Sequence, residues 1–152
     1  MRRKPKLTLG RREKVDFPDL GLYNIDAKID TGAYTSSLHC GDVKPVMKKG
    51  VPHVSFSLID KRYEVFDKKK LVWPLHEQTT VKNSFGHKEL RYVIKAKIII
   101  YNTLYDIELT LADRSLMEFP VLLGRKLLKK NFMVDVSKIN CSYSRKAVKK
   151  KI

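Results

Sequence analysis

Cysteine is too scarce here for a disulfide-built scaffold: 152 residues carry only Cys40 and Cys141. One bridge is arithmetically open, but the count suits a reducing compartment equally, and free thiols are the favoured reading. The two cysteines form no CxxC pair, and the chain has no HExxH helix and no GxxxxGK[ST] phosphate loop. His39 and Cys40 are adjacent, so in an extended segment they point to opposite faces rather than at one ion. These absences predict neither a bound metal nor a cofactor. No apolar run approaches the roughly 20 residues that cross a bilayer. The basic amino terminus lacks a following apolar stretch, so no secretory leader is expected and the cytoplasm is the default location.

Acidic residues are also few, 16 against 32 lysines and arginines, giving a formal charge of +16. The excess is concentrated at the ends. Residues 1–14 hold seven basic side chains and one acidic, and residues 138–152 hold six basic and none acidic, so the ends carry +12 of the total. Basic ends raise encounter rates with any polyanion, nucleic acid and acidic peptide alike, and they also favour solubility. What is present in quantity is apolar: 43% hydrophobic residues, with 7 Tyr and 6 Phe, argue for a folded body. The length suits one domain with a modest core, placed at 7–137 with basic tails at 1–6 and 138–152.

Alternation dominates that body. Ile25, Ala27 and Ile29 alternate with Asn24, Asp26 and Lys28, and Ile107, Leu109 and Leu111 alternate with Asp106, Glu108 and Thr110. Further strands are expected at Leu7–Leu9, Val54–Leu58 with Tyr63–Val65, Thr79–Lys82, Leu90–Ile100 and Phe132–Val136. Asn83-Ser84-Phe85-Gly86 reads as a glycine-containing turn joining Thr79–Lys82 to Leu90–Ile100. Val15–Leu22, with Pro18 and Gly21, reads as a loop, and Asp42–Pro52, with two prolines and Lys-Lys-Gly, as an exposed connection. Trp73 is assigned to core packing. Eight or nine short strands and one short helix beginning at Arg125 suit a small closed β structure.

Two turns stand out. Ile29-Asp30-Thr31-Gly32-Ala33 places a carboxylate where an apolar strand stops, followed by a hydroxyl and a residue without Cβ. Val121-Leu122-Leu123-Gly124-Arg125 breaks an apolar run with glycine and leads into the helix. Taken alone, the first is either an ordinary surface turn or a catalytic carboxylate. The chain contains this signal once, since Asp113 is followed by Arg114 and Ser115.

The ordered pair resembles the retropepsin-like aspartic proteases. More narrowly, the chain is similar to the group called ATP-dependent zinc proteases, associated with ATP-grasp glutamate ligases. Leu9-Gly10-Arg11-Arg12-Glu13, Ala27 to Ala33 with Thr35 to His39, Gly86-His87-Lys88-Glu89 and Phe119 to Arg125 carry the likeness, which spans about residues 7–137. It implies an all-β, closed small barrel with one short C-terminal helix, and an aspartic endopeptidase working as a homodimer. Asp30 would be the catalytic acid, supported by Thr31, Gly32, Ala33, Leu123, Gly124 and Arg125. Glutamate ligation implies an acidic peptide or polyglutamylated protein as substrate and an ATP-grasp ligase as partner. Arg11, Arg12, His87, Lys88, Glu89 and Arg91 are the candidate substrate contacts. Two rival readings stand beside this one: a basic nucleic-acid or ribosome-associated module, and a catalytically silent dimeric scaffold of the same fold.

Overall fold

The computed structural model describes residues 5–58, 69–82, 85–112 and 119–150. Six strands close into a barrel: β2 (Arg12–Phe17), β3 (Leu22–Ile29), β4 (Ser36–His39), β9 (Lys88–Ile100), β10 (Thr103–Ala112) and β11 (Val121–Leu123). Around the ring the order is β10, β4, β11, β3, β2, β9, and β9 pairs again with β10 along its length. The alternation visible in the sequence points one set of side chains inward. Val15, Ile25, Ala27, Leu38, Ile94, Ile98, Leu109, Val121 and Leu123 are almost wholly buried.

Several segments depart from the sequence expectation. The loop expected at Val15–Leu22 shrinks to a single helical turn at Pro18–Leu20, because Val15 and Phe17 continue β2 and are buried in the barrel. The exposed connection expected at Asp42–Pro52 is a hairpin of β5 (Gly41–Lys48) and β6 (Val51–Leu58), turned by Lys49 and Gly50 at positive φ. Pro45 is tolerated there because, among the described residues, β5 pairs with β6 alone. β7 (Lys69–Pro74) completes this smaller sheet, whose Val54, Phe56 and Leu58 enter the common core. Trp73 packs against that core and donates Nε1–H to the Lys95 carbonyl at 2.8 Å. β8 (Glu77–Lys82) pairs with the start of β9 as the expected hairpin. The strand expected at Tyr63–Val65, Asn83-Ser84 of the hairpin turn and Asp113 to Ser115 lie outside the described residues.

Helix α1 (Arg125–Asn131) follows β11 directly, and β12 (Phe132–Val134) returns to pair in parallel with β1 (Leu7–Leu9). Residues 138–145, assigned from composition to a basic tail, lie against the barrel and open helix α2 (Cys141–Lys150). Glu13 explains how. Although acidic, it is fully buried, and its carboxylate accepts N–H bonds from Gly10 (2.7 Å), Cys141 (3.1 Å) and Ser142 (3.0 Å). It therefore satisfies the otherwise orphaned first donors of α2. Gly10 is required by space, since a Cβ there would stand 2.2 Å from the Lys138 carbonyl oxygen. Burial, and the nearby Glu13 charge, push the Cys141 thiol above its ordinary pKa.

Candidate active site

β11 lies between β3 and β4, two strands consecutive in sequence, running parallel to the first and antiparallel to the second. That insertion sets the end of β3 beside the end of β11. The Asp30 N–H donates to the Leu123 carbonyl at 2.9 Å, anchoring the backbone of the acid to a fully buried neighbour. Beyond it the chain turns sharply. The Gly32 N–H donates to Asp30 Oδ1 at 2.9 Å, and the Ala33 N–H reaches the Asp30 carbonyl at 3.3 Å. The Asp30 side chain is half-buried, while Thr31 and Gly32 are exposed. Among the described residues Asp30 forms no ion pair, and its Oδ1 is held by a neutral backbone donor.

The second turn supports the first. Gly124 is buried, and a Cβ on it would stand 2.5 Å from the Thr35 carbonyl oxygen and 2.7 Å from that of Tyr34. Its φ of −102° suits any residue, so the requirement is close approach rather than torsion. The Gly124 N–H donates to Ser36 Oγ at 3.1 Å, which accounts for a hydroxyl facing the barrel interior. The next two N–H groups, of Arg125 and Lys126, donate to the carbonyls of Ala33 (2.8 Å) and Tyr34 (2.9 Å). Arg125 Nη1 donates to the Thr31 carbonyl at 2.9 Å. The start of α1 thus holds the Asp30 loop by its carbonyls, and Arg125 acts on backbone rather than on the acid. Arg125 and Lys129 also flank the Tyr34 ring, 5.8 and 5.7 Å from its centroid.

The candidate substrate contacts fall in two places. The Arg11 carbonyl accepts the Ile29 N–H at 3.0 Å, one residue from the acid, but its guanidinium donates to the Val136 carbonyl at 3.2 Å. Arg12 lies on β2 opposite Lys28. His87, Lys88, Glu89 and Arg91 belong to the β8–β9 hairpin, where Glu89 and Arg91 form an ion pair. Sequence reasoning overlooked a cluster centred on Glu108, whose carboxylate meets Lys126 and also His76 Nε2 at 3.1 Å. The hydrogen bond from Lys126 leads the causes that lower the Glu108 pKa, and the same contact raises that of Lys126. Alternation places Glu108 on a wet face and shows nothing of its partners. Among the described residues, no three His, Cys, Asp or Glu side chains come together as a metal-binding group.

A closed six-stranded barrel with an Asp-Thr-Gly turn held under a Leu-Leu-Gly-Arg turn is the arrangement of a retropepsin-like fold. The model of the RimB-like family, described as retropepsin-like aspartic endopeptidase RimB, matches residues 8–145, and the chain belongs to that family. Two relatives are named probable alpha-L-glutamate ligase. The one from Desulfotalea psychrophila is 35% identical over 134 residues, covering 86% of this chain and 28% of its own length. The one from Shewanella pealeana is 34% identical over 140 residues, covering 90% and 30%. The chain therefore spans less than a third of the curated relatives it matches. A crystal structure of a Legionella pneumophila protein of unknown function superposes with a TM-score of 0.72 at 25% identity, covering 91% of this chain and 99% of that one.

Proposed function

We propose that this protein is an aspartic endopeptidase that works as a homodimer on acidic, glutamate-rich peptides or polyglutamylated proteins. The observation that carries the reading is the Asp30 turn, whose half-buried carboxylate accepts the Gly32 N–H at one oxygen, whose Asp30 N–H donates to the Leu123 carbonyl and whose Ala33 carbonyl accepts the Arg125 N–H.

Hydrolysis of a peptide by carboxylates needs two of them. Like charges a few ångströms apart cannot both ionise, so the pair shares a proton: one member takes a proton from water while the other donates to the scissile carbonyl. The chain supplies one such turn, and a two-fold axis passing between two copies supplies the second. The exposure of Thr31 and Gly32 is compatible with close approach of two such loops. The formal charge of +16 favours an acidic substrate, and the names of the relatives point to glutamate chemistry. An ATP-grasp ligase is the corresponding partner, and any ATP dependence belongs to it.

The test is hydrolysis of a quenched glutamate-rich peptide by wild type, by Asp30→Asn and by mixtures of the two. Asp30→Asn should be inactive yet elute as the same dimer. After subunit exchange in an equal mixture, activity should fall to about one quarter, because only dimers with both acids turn over. A fall to about one half would show that each Asp30 acts alone, and full activity in Asp30→Asn would reject the assignment.

A further inference from the structure

The loop that begins with Asp30 ends against an opening in the barrel wall. β4 pairs with β10 only from Ser36 opposite Leu109 onward, so Thr103–Glu108 of β10 run past the start of β4. α1 lies alongside, leaving a cavity of about 510 Å³ bordered by Thr35, Ser36, Lys95 and Lys126. It adjoins a second of about 430 Å³, which shares Asp106, Lys126 and Leu127 and reaches Tyr34, Lys129 and Lys130. Ala96, Ile107 and Leu127 among the lining residues are buried and apolar, and the rim is charged.

The signs on that rim are not balanced. Asp106 already holds Lys97, and Glu108 already holds Lys126 and His76. Lys95, Lys129 and Lys130 form no ion pair among the described residues, and Asp19 is the single lining carboxylate left to oppose them. Lys129 stands over the Tyr34 ring, which gives its ammonium a fixed place beside the Asp30 loop.

We propose that these adjoining cavities form an exosite that takes side-chain carboxylates of an extended acidic peptide at a distance from the bond being cut. The inference rests on the peptidase reading and names Lys95, Lys129 and Lys130 as its specificity residues. The loop from Asp30 to Ser36 spans at most about 20 Å when extended, so the acidic side chains lie within about six peptide residues of the scissile bond. An aliphatic floor under unpaired ammonium groups suits glutamate, whose methylenes pack while its carboxylate reaches the rim.

The experiment uses the full chain carrying Asp30→Asn, so that peptide is bound but not consumed. Fluorescence anisotropy compares a glutamate-rich peptide with its glutamine counterpart. Lys95→Glu/Lys129→Glu/Lys130→Glu should reduce the preference for the acidic peptide about tenfold, the sum of three modest exposed contacts. Lys44→Glu/Lys48→Glu/Lys70→Glu, an equal charge change on the exposed small sheet, should alter it by no more than about twofold. Circular dichroism confirms the fold, and a Lys95→Gln/Lys129→Gln/Lys130→Gln variant should lose the same preference to a smaller degree. Equal losses in both reversal triples, or none in the groove triple, overturn the exosite. Displacement of the acidic peptide by single-stranded RNA with the same lysine dependence also overturns it, because the surface then reads any polyanion. Wild-type turnover is scored separately. Absent hydrolysis with a groove-dependent preference rejects the peptidase alone; hydrolysis with an unaltered preference rejects the exosite alone.

Discussion

Replacing Gly124 by alanine should damage the Asp30 turn from behind. The added Cβ would stand 2.5 Å from the Thr35 carbonyl oxygen, whereas ordinary contact begins near 3.4 Å, so the two backbones must separate by about 0.9 Å. The oxygen is a backbone atom and the Cβ is fixed directly to one, so no side chain can swing aside to absorb the shift. Forced overpacking of this kind costs about 1–3 kcal/mol, equivalent to about 2–12 °C in Tm for a domain of this length. The displaced segment is tied to the acid through the bonds from Arg125 to Ala33 and from Ala33 to Asp30. Misplacement of a reacting group by about 1 Å costs about 100-fold in rate, so kcat should fall by that order while dimerisation persists. Calorimetry and peptide turnover measure the two effects. Gly50→Ala is the control: it sits at φ +77° with nothing within 4 Å of its Cβ, so it should lose about 1 kcal/mol by torsion alone and keep full turnover. A Gly124→Ala protein with wild-type kcat would refute the claim that this close approach positions Asp30.

Glu13→Ala should be among the most destabilising exchanges of a charged residue. It leaves the N–H groups of Gly10, Cys141 and Ser142 without their acceptor, at a cost of about 3–6 kcal/mol, and hydrogen exchange at residues 140–145 should accelerate in step. Glu108 gives a pH dependence of known sign. Its folded pKa lies below the ordinary 4.5, chiefly through the Lys126 hydrogen bond, so its contribution is present above that value and lost as pH falls through the lowered one. Between about pH 5 and pH 3, Tm should therefore fall more steeply in wild type than in Glu108→Gln, and parallel curves would reject the contact as a source of stability.

Strand period carried most of the barrel, because positions such as Ile25, Ala27 and Ile29 report burial on one face directly. The two turns were legible for a different reason: a carboxylate or glycine ending an apolar strand is costly without a use. Loops were read less well. Pro18 and Gly21 suggested a long break, yet a 3-10 turn needs only three residues, and the strand before it ran to Phe17. The β5–β6 hairpin was hidden because its edge strand is exposed along most of its length and so lacks a clear apolar period. Helix α2 was invisible for the opposite reason. Its first turn is held by Glu13, 128 residues before Cys141, and composition shows only a basic excess there. Glu13 gave no sign of its burial, since nothing in Arg11-Arg12-Glu13-Lys14 distinguishes an acid that caps the start of α2.

The insertion of β11 between β3 and β4 also has a consequence for biosynthesis. Residues 22–39 are translated before residues 121–123, so β3, paired with β2 on its other edge, lacks its β11 neighbour until those residues arrive. The nascent chain can form local hairpins such as β5–β6 beforehand, yet Asp30 has no Leu123 carbonyl to dock against and no α1 to steady its loop. Assembly of the acid is thereby deferred until β11 and the start of α1 have been translated.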